Sequence, residues 1–198
     1  KELVRQLRNT GKYEVYLTRS RDIYIPLRQR VNIARKHQAD LFISIHADAI
    51  KRKNVRGMSI YTLSETASDK EAAALARKEN RSDIIVGIAF DDQPPEVADI
   101  LIDLAQRETK NLSVKFANLV VKNARGTTRL LERTHRFAGF RVLKAPDVPS
   151  VLIELGFLTN RSDEKQLLSA SWRRKIAKSL VKSVNGFFSS SQQARMTR

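Results

Sequence analysis

The run Leu41-Phe42-Ile43-Ser44-Ile45-His46-Ala47-Asp48-Ala49 constrains this chain more than any other segment. It reads as a core strand that ends in a histidine and an aspartate. A strand holds such groups rigidly at the rim of a sheet, where a loop would let them wander. His46 is therefore a candidate zinc ligand, and a hydrogen-bonded structural histidine is the other reading of the same residue.

The remaining pattern predicts an α/β architecture. Tyr13 to Thr18 alternates as a strand, and Leu27 to His37 carries Leu27, Val31 and Ala34 at helical spacing. Met58 to Leu63 predicts another strand. Ser68 and Glu71 match a capping box, opening a helix with Ala72, Leu75, Ala76 and Glu79 on one stripe. A carboxylate thus continues an apolar face. A second helix is predicted over 95–108, where Asp91, Asp92, Glu96, Asp99, Asp103 and Glu108 gather acid, and a third over 113–123. Strands follow at 140–144 and 150–155, joined through Pro146 and Pro149, which enforce an extended connection. The last helix is expected over 163–184. The Ser- and Gln-rich tail 189–198 is expected to be disordered.

At 198 residues, with 41% hydrophobic residues, the chain suits one soluble domain. No stretch is apolar enough to span a bilayer. The opening Lys-Glu-Leu-Val-Arg-Gln-Leu reads as an uncapped amphipathic helix, so a segment upstream, with any targeting signal, is expected to be missing. There is no cysteine, which excludes disulfides, thiolate zinc sites and cysteine nucleophiles. The net charge of +16 predicts attraction to polyanions at low salt. The basic residues are scattered, and no nucleic-acid recognition motif accompanies them, so nucleic acid is not expected as a partner.

Glu154 is the second anomaly, a carboxylate after four apolar or small residues on a core strand, which needs a partner or a job. His46 and Glu154 at two strand ends fit a metal ligand and a general base converging at a sheet edge. A catalytic zinc takes three protein ligands, however. His37 at a helix end and His135 in a charged run read as surface residues and do not fill the gap.

The segments 15–22, with Leu27 and Arg30, then 39–49, and finally Val148-Pro149-Ser150-Val151-Leu152-Ile153-Glu154-Leu155-Gly156-Phe157-Leu158-Thr159-Asn160, closely resemble the zinc-dependent N-acetylmuramoyl-L-alanine amidases. The resemblance implies a single α/β domain over 1–188, with a mostly parallel or mixed central sheet flanked by helices on both faces. It implies that His46 is a zinc ligand and Glu154 the catalytic carboxylate. The family's Asp-Pro-Gly-His-Gly-Gly-like strand end and the glutamate after it, two further zinc ligands, are absent here, which is read as truncation.

The interval 64–135 resembles the helical regulatory insertion of the cell-division branch, which covers the zinc until a protein activator displaces it. Glu79 is the candidate zinc-blocking ligand and Glu96 the reserve; a helix-end carboxylate paired with Arg77 or Arg81 is the competing reading of Glu79. The implied protein is a monomeric periplasmic or extracellular enzyme acting on peptidoglycan during septal splitting. A polyanion-binding module without catalysis is the alternative, and a zinc hydrolase of another amide is a third.

Overall fold

The computed structural model describes residues 1–85 and 100–196. Its elements are α1 (Glu2–Asn9), α2 (Leu27–Lys36), β1 (Phe42–Asp48), β2 (Met58–Leu63), α3 (Lys70–Asn80), α4 (Ser82–Ile85), α5 (Ile100–Ala124), β3 (Leu130–Ala138), β4 (Ser150–Phe157), α6 (Arg161–Leu168) and α7 (Ala170–Met196). The four strands form one mixed sheet in the order β1-β4-β2-β3. β1 runs parallel to β4 and β2 parallel to β3, while β2 and β4 pair antiparallel.

Strand alternation sorts the side chains to two faces. Val151 and Ile153 of β4 join Met58 and Ile60 of β2 in a core closed by Leu7 of α1, Phe116, Ala117 and Val120 of α5, and Ile176, Leu180 and Val184 of α7. Leu152 and Tyr61 face the other way, into a core closed by Leu27 of α2 and by Ala72, Leu75 and Ala76 of α3. Helices therefore cover both faces, as expected. The stripes 27/31/34 and 72/75/76 are buried as their spacing requires. By the same alternation Ser44, His46, Asp48 and Glu154 all lie on the α2/α3 face.

Several elements differ from the sequence reading. Residues 13–18 form no strand; Tyr13 and Val15 still pack on the core, and Arg8 Nη2 donates to the Val15 carbonyl at 2.7 Å. Alternation reports side-chain burial, and a ladder also needs a neighbour. The predicted strand 140–144 is a 3₁₀ turn over Arg141–Leu143, in which consecutive Val142 and Leu143 are both buried. β3 takes its place in the sheet. Its charged stretch Glu132-Arg133-Thr134-His135-Arg136 disguised it, because an edge strand tolerates polar residues that a central one does not.

The predicted helices 95–108 and 113–123 merge into α5 from Ile100 onward, and the last helix divides at Ser169 into α6 and α7. α7 continues to Met196, through most of the expected disordered tail. The interval 64–135 holds α3 and α4 but also α5, whose Phe116 and Val120 are fully buried in the main core, and its limit falls within β3. α3 is capped by Asp69, whose carboxylate accepts from the Ala72 amide at 2.8 Å, one residue later than the predicted capping box. Glu71 turns away to Arg136 at 2.8 Å.

Candidate active site

Parallel pairing of β1 with β4 sets His46 directly opposite Glu154. Both strands reach the sheet rim here, and the register shifts between His46 and Asp48, so the next aligned pair is Asp48 with Phe157. Such an irregularity re-aims side chains at a strand end. The two residues singled out from sequence are thus brought together: His46 Nδ1 lies 3.9 Å from Glu154 Oε1. The other ring nitrogen, Nε2, is 3.0 Å from Ser44 Oγ.

α3 contributes the third member. Its apolar stripe seats on the sheet through Ala72, Leu75 and Ala76, and one turn later Glu79 reaches over the rim. Glu79 Oε2 is 3.2 Å from His46 Nδ1, and its carboxylate faces His46 rather than Arg77 or Arg81. Burial raises its pKa, but the hydrogen bond and charge of His46, with Lys78 and Arg30 nearby, bring it below the ordinary carboxylate range.

Glu154 is fully buried. Its Oε2 accepts from the Asp48 backbone N–H at 3.1 Å, while Oε1, on the His46 side, has no hydrogen-bond partner. Desolvation, reinforced by the charges of Asp48 and Glu79, pushes its pKa up to about 9. A carboxyl so placed keeps its proton at neutral pH, and a cation beside it would favour the ionised form that a base needs.

Two further polar residues adjoin these three, neither of them given a role by the sequence pattern. Asp48 shares the face of His46 at i+2, a spacing visible in the sequence. Its Oδ1 accepts from Lys78 Nζ and from the Ala49 amide, and its Oδ2 is buried and unpartnered. Lys78 also donates to the Ala49 carbonyl at 2.7 Å, tying α3 to the end of β1. No local signal marks Lys78, because its partners lie about thirty residues away.

The other candidates fall elsewhere. His37 caps the C-terminal end of α2, exposed and stacked on Tyr16 with ring centroids 3.8 Å apart. His135 is not a surface residue: it is half-buried on β3, 3.0 Å from Thr62 Oγ1, and burial lowers its pKa. Glu96 lies outside the described residues.

A family model described as N-acetylmuramoyl-L-alanine amidase matches residues 1–186. The chain belongs to this amidase family. It is 40% identical over 183 residues to N-acetylmuramoyl-L-alanine amidase AmiA of Escherichia coli K12, covering 92% of this chain and 63% of that protein. It is 36% identical over 192 residues to AmiC of Escherichia coli O6:H1, covering 94% of this chain and 46% of that protein. The chain thus spans less than two thirds of the length of these relatives. Among solved structures, the amidase Ami1 of Mycobacterium smegmatis aligns with a TM-score of 0.64 at 20% identity, over 95% of this chain and 73% of that one. The CwlD amidase of Clostridioides difficile, solved with the GerS lipoprotein, aligns with a TM-score of 0.63 at 19% identity, over 95% and 82%. The fold of this amidase-family chain is shared with both.

Zinc, which the family resemblance implies, can be tested against the donors present. An imidazole nitrogen and a carboxylate converge at His46 and Glu79, a donor chemistry zinc accepts, beside the unpartnered Glu154 Oε1. Among the described residues no group of three His, Cys, Asp or Glu forms a metal site. The donors of this amidase-family chain fit zinc in kind and fall short of a full catalytic set in number.

Proposed function

We propose that the chain is a zinc-dependent N-acetylmuramoyl-L-alanine amidase of the bacterial cell envelope, in the periplasm or outside the cell. Its substrate is peptidoglycan, cleaved at the amide between the lactyl group of N-acetylmuramic acid and L-alanine during septal splitting. The reading rests on one observation above all: a fully buried glutamate with a free oxygen, register-paired with a histidine at the rim of the sheet. The family match supports the bond that is cleaved.

His46, from the sheet, would hold zinc throughout, and Glu79, from α3, would hold it only while the site is blocked. Bound there, the ion supplies Lewis acidity to the amide carbonyl and acidity to water. Glu154, as the carboxylate, takes the proton from the attacking water as the C–O bond forms, and then delivers it to the leaving alanine nitrogen as the C–N bond breaks. The Asp48 amide fixes one oxygen of Glu154 and leaves the other for the proton. Lys78 locks Asp48 and α3 in place.

In this arrangement α3 and α4 are the inhibitory cover, and Glu79 occupies the position that substrate needs. A protein activator lifts the cover. Beside the apolar seam of Ala72, Leu75 and Ala76, polar contacts hold it: Asn80 bridges the Gly139 carbonyl and the Arg141 amide at 2.8 Å each, and Asp83 accepts from the Leu27 amide at 3.1 Å.

Release of alanine-terminated stem peptides from purified peptidoglycan, in the presence of zinc, tests the reading. In a Glu79→Ala background, which removes the block, Glu154→Gln should lower turnover by about 10² to 10⁴, the usual worth of a general acid–base group, while leaving zinc content unchanged. Glu79→Ala should raise basal turnover. Near-normal turnover of the Glu154 variant overturns the assignment, and unchanged basal turnover of the Glu79 variant removes the cover from the model.

A further inference from the structure

The face of the sheet opposite the candidate site is built by α1, α5 and α7, and along α7 its charge is one-sided. α7 carries Arg173, Arg174, Lys175, Lys178, Lys182 and Arg195 and contains no Asp or Glu. Between α1 and α7 lies a cleft of about 440 Å³ lined by Gln6, Ser171, Arg174, Lys175 and Lys178. All three cations are exposed, and no ion pair engages them among the described residues. The carboxylate that feels Arg174, Glu2, is occupied by Arg5 at 2.6 Å and Gln6 at 2.8 Å. Arg173 is turned away to the Leu167 carbonyl at 2.7 Å. What remains is a recess with three uncompensated positive charges.

An exposed cation costs nothing to leave solvated, so single lysines carry no message. Three that converge on one recess, with Gln6 and Ser171 as polar lining, form a receptor for oxyanions. Along α7 the row continues to Lys182: Arg174, Lys178 and Lys182 are four residues apart, so successive charges stand about 6 Å apart on one side of the helix. A repeating row of cations matches a chain of repeating anions.

We propose that the α1/α7 cleft is a docking site for the carboxylates of the wall polymer itself, gripping peptidoglycan on the side of the domain away from the bond that is cut. The identity of the polymer rests on the amidase reading; the recess and its charge do not. Such a second grip keeps the domain on an insoluble substrate between cleavage events, while a short soluble fragment, too small to reach both faces, gains nothing from it. The grip weakens with salt because its charges are exposed.

Co-sedimentation with purified sacculi, with vesicles of anionic phospholipid run in parallel, decides the matter. Arg174→Glu/Lys175→Glu/Lys178→Glu is compared with Arg129→Glu/Arg133→Glu/Lys144→Glu, which changes net charge equally at other exposed positions. The cleft triple should lose sacculus affinity by about tenfold or more, only about 1.4 kcal/mol shared among three cations, and the control triple should lose far less. Cleavage of a soluble muropeptide should be the same in both. Equal losses in the two triples, or none in the cleft triple, overturn the proposal. So does cleft-dependent binding to the vesicles that exceeds binding to sacculi. In a Glu79→Ala background, muropeptide cleavage without cleft-dependent sacculus binding sinks the cleft alone, and cleft-dependent sacculus binding without any amide cleavage sinks the amidase reading alone.

Discussion

The two faces of the sheet are held by different physics. Against α1, α5 and α7 the contact is apolar and aromatic: Phe116 is fully buried and meets Phe187 edge to face, with centroids 5.6 Å apart. Against α2, α3 and α4 a smaller apolar seam is ringed by charge. Arg136, 6% exposed, grips Asp69 and Glu71, while Lys78, Glu79, Asn80 and Asp83 each reach across to another element. Apolar burial is non-directional and hard to undo locally, whereas polar contacts trade one for one with water. One face is therefore a foundation, and the other is where the proposed cover rests.

The largest effect expected is on the foundation. Phe116→Ala should cost about 3–5 kcal/mol of global stability through lost transfer and a cavity, with the whole domain unfolding in one step in denaturant melts. A loss confined to α5 would show that the helical layer is not one unit with the sheet.

Next comes the anchor of α3, the proposed cover. Burial works against ionised Asp69, but the Ala72 amide and Arg136 outweigh it and hold its pKa at about 2 instead of 3.8. A carboxyl depressed on folding adds stability above its unfolded pKa, and that stability disappears as pH falls from about 4 to about 2. Asp69→Asn should cost about 1–3 kcal/mol at neutral pH, the range of a charge-assisted hydrogen bond, and should flatten the loss of stability on the acid side. Parallel acid limbs for the two proteins would show that this pair does not anchor α3.

The smallest expected effect is at the far end of the cover. α2 starts at Leu27 without a side-chain cap of its own, and Asp83 of α4 supplies one from a distance, while also accepting from Tyr24 Oη. Asp83→Ala should cost about 0.5–2 kcal/mol, the worth of a helix cap, and should speed hydrogen exchange at the Leu27 amide while leaving amides of α7 unchanged. Faster exchange in α7 as well would mean that the two faces are coupled more tightly than their contacts imply.

Much of this was legible before folding was considered. The β1 run with His46, the β4 run with Glu154, and the stripes of α2 and α3 are local patterns, and burial follows period. Glu79 was legible for the same reason, since it continues the stripe of α3 at i+3 from Ala76. Those signals failed where pairing mattered. Residues 13–18 alternate well and have no ladder, whereas β3 alternates poorly and has one, because its place at the sheet edge is set by β2 and not by its own composition.

By itself the chain determined which residues are apolar on which side of each element, and which polar residues interrupt them. Only the tertiary structure decided that His46 faces Glu154 across one register, that Glu79 meets His46 instead of an arginine on its own helix, and that Asp83 caps a helix 56 residues earlier. Periodicity is a property of a few neighbouring residues and is written in them. Register, convergence and charge compensation join residues distant in sequence, and their energies exist only once the sheet has brought them within reach.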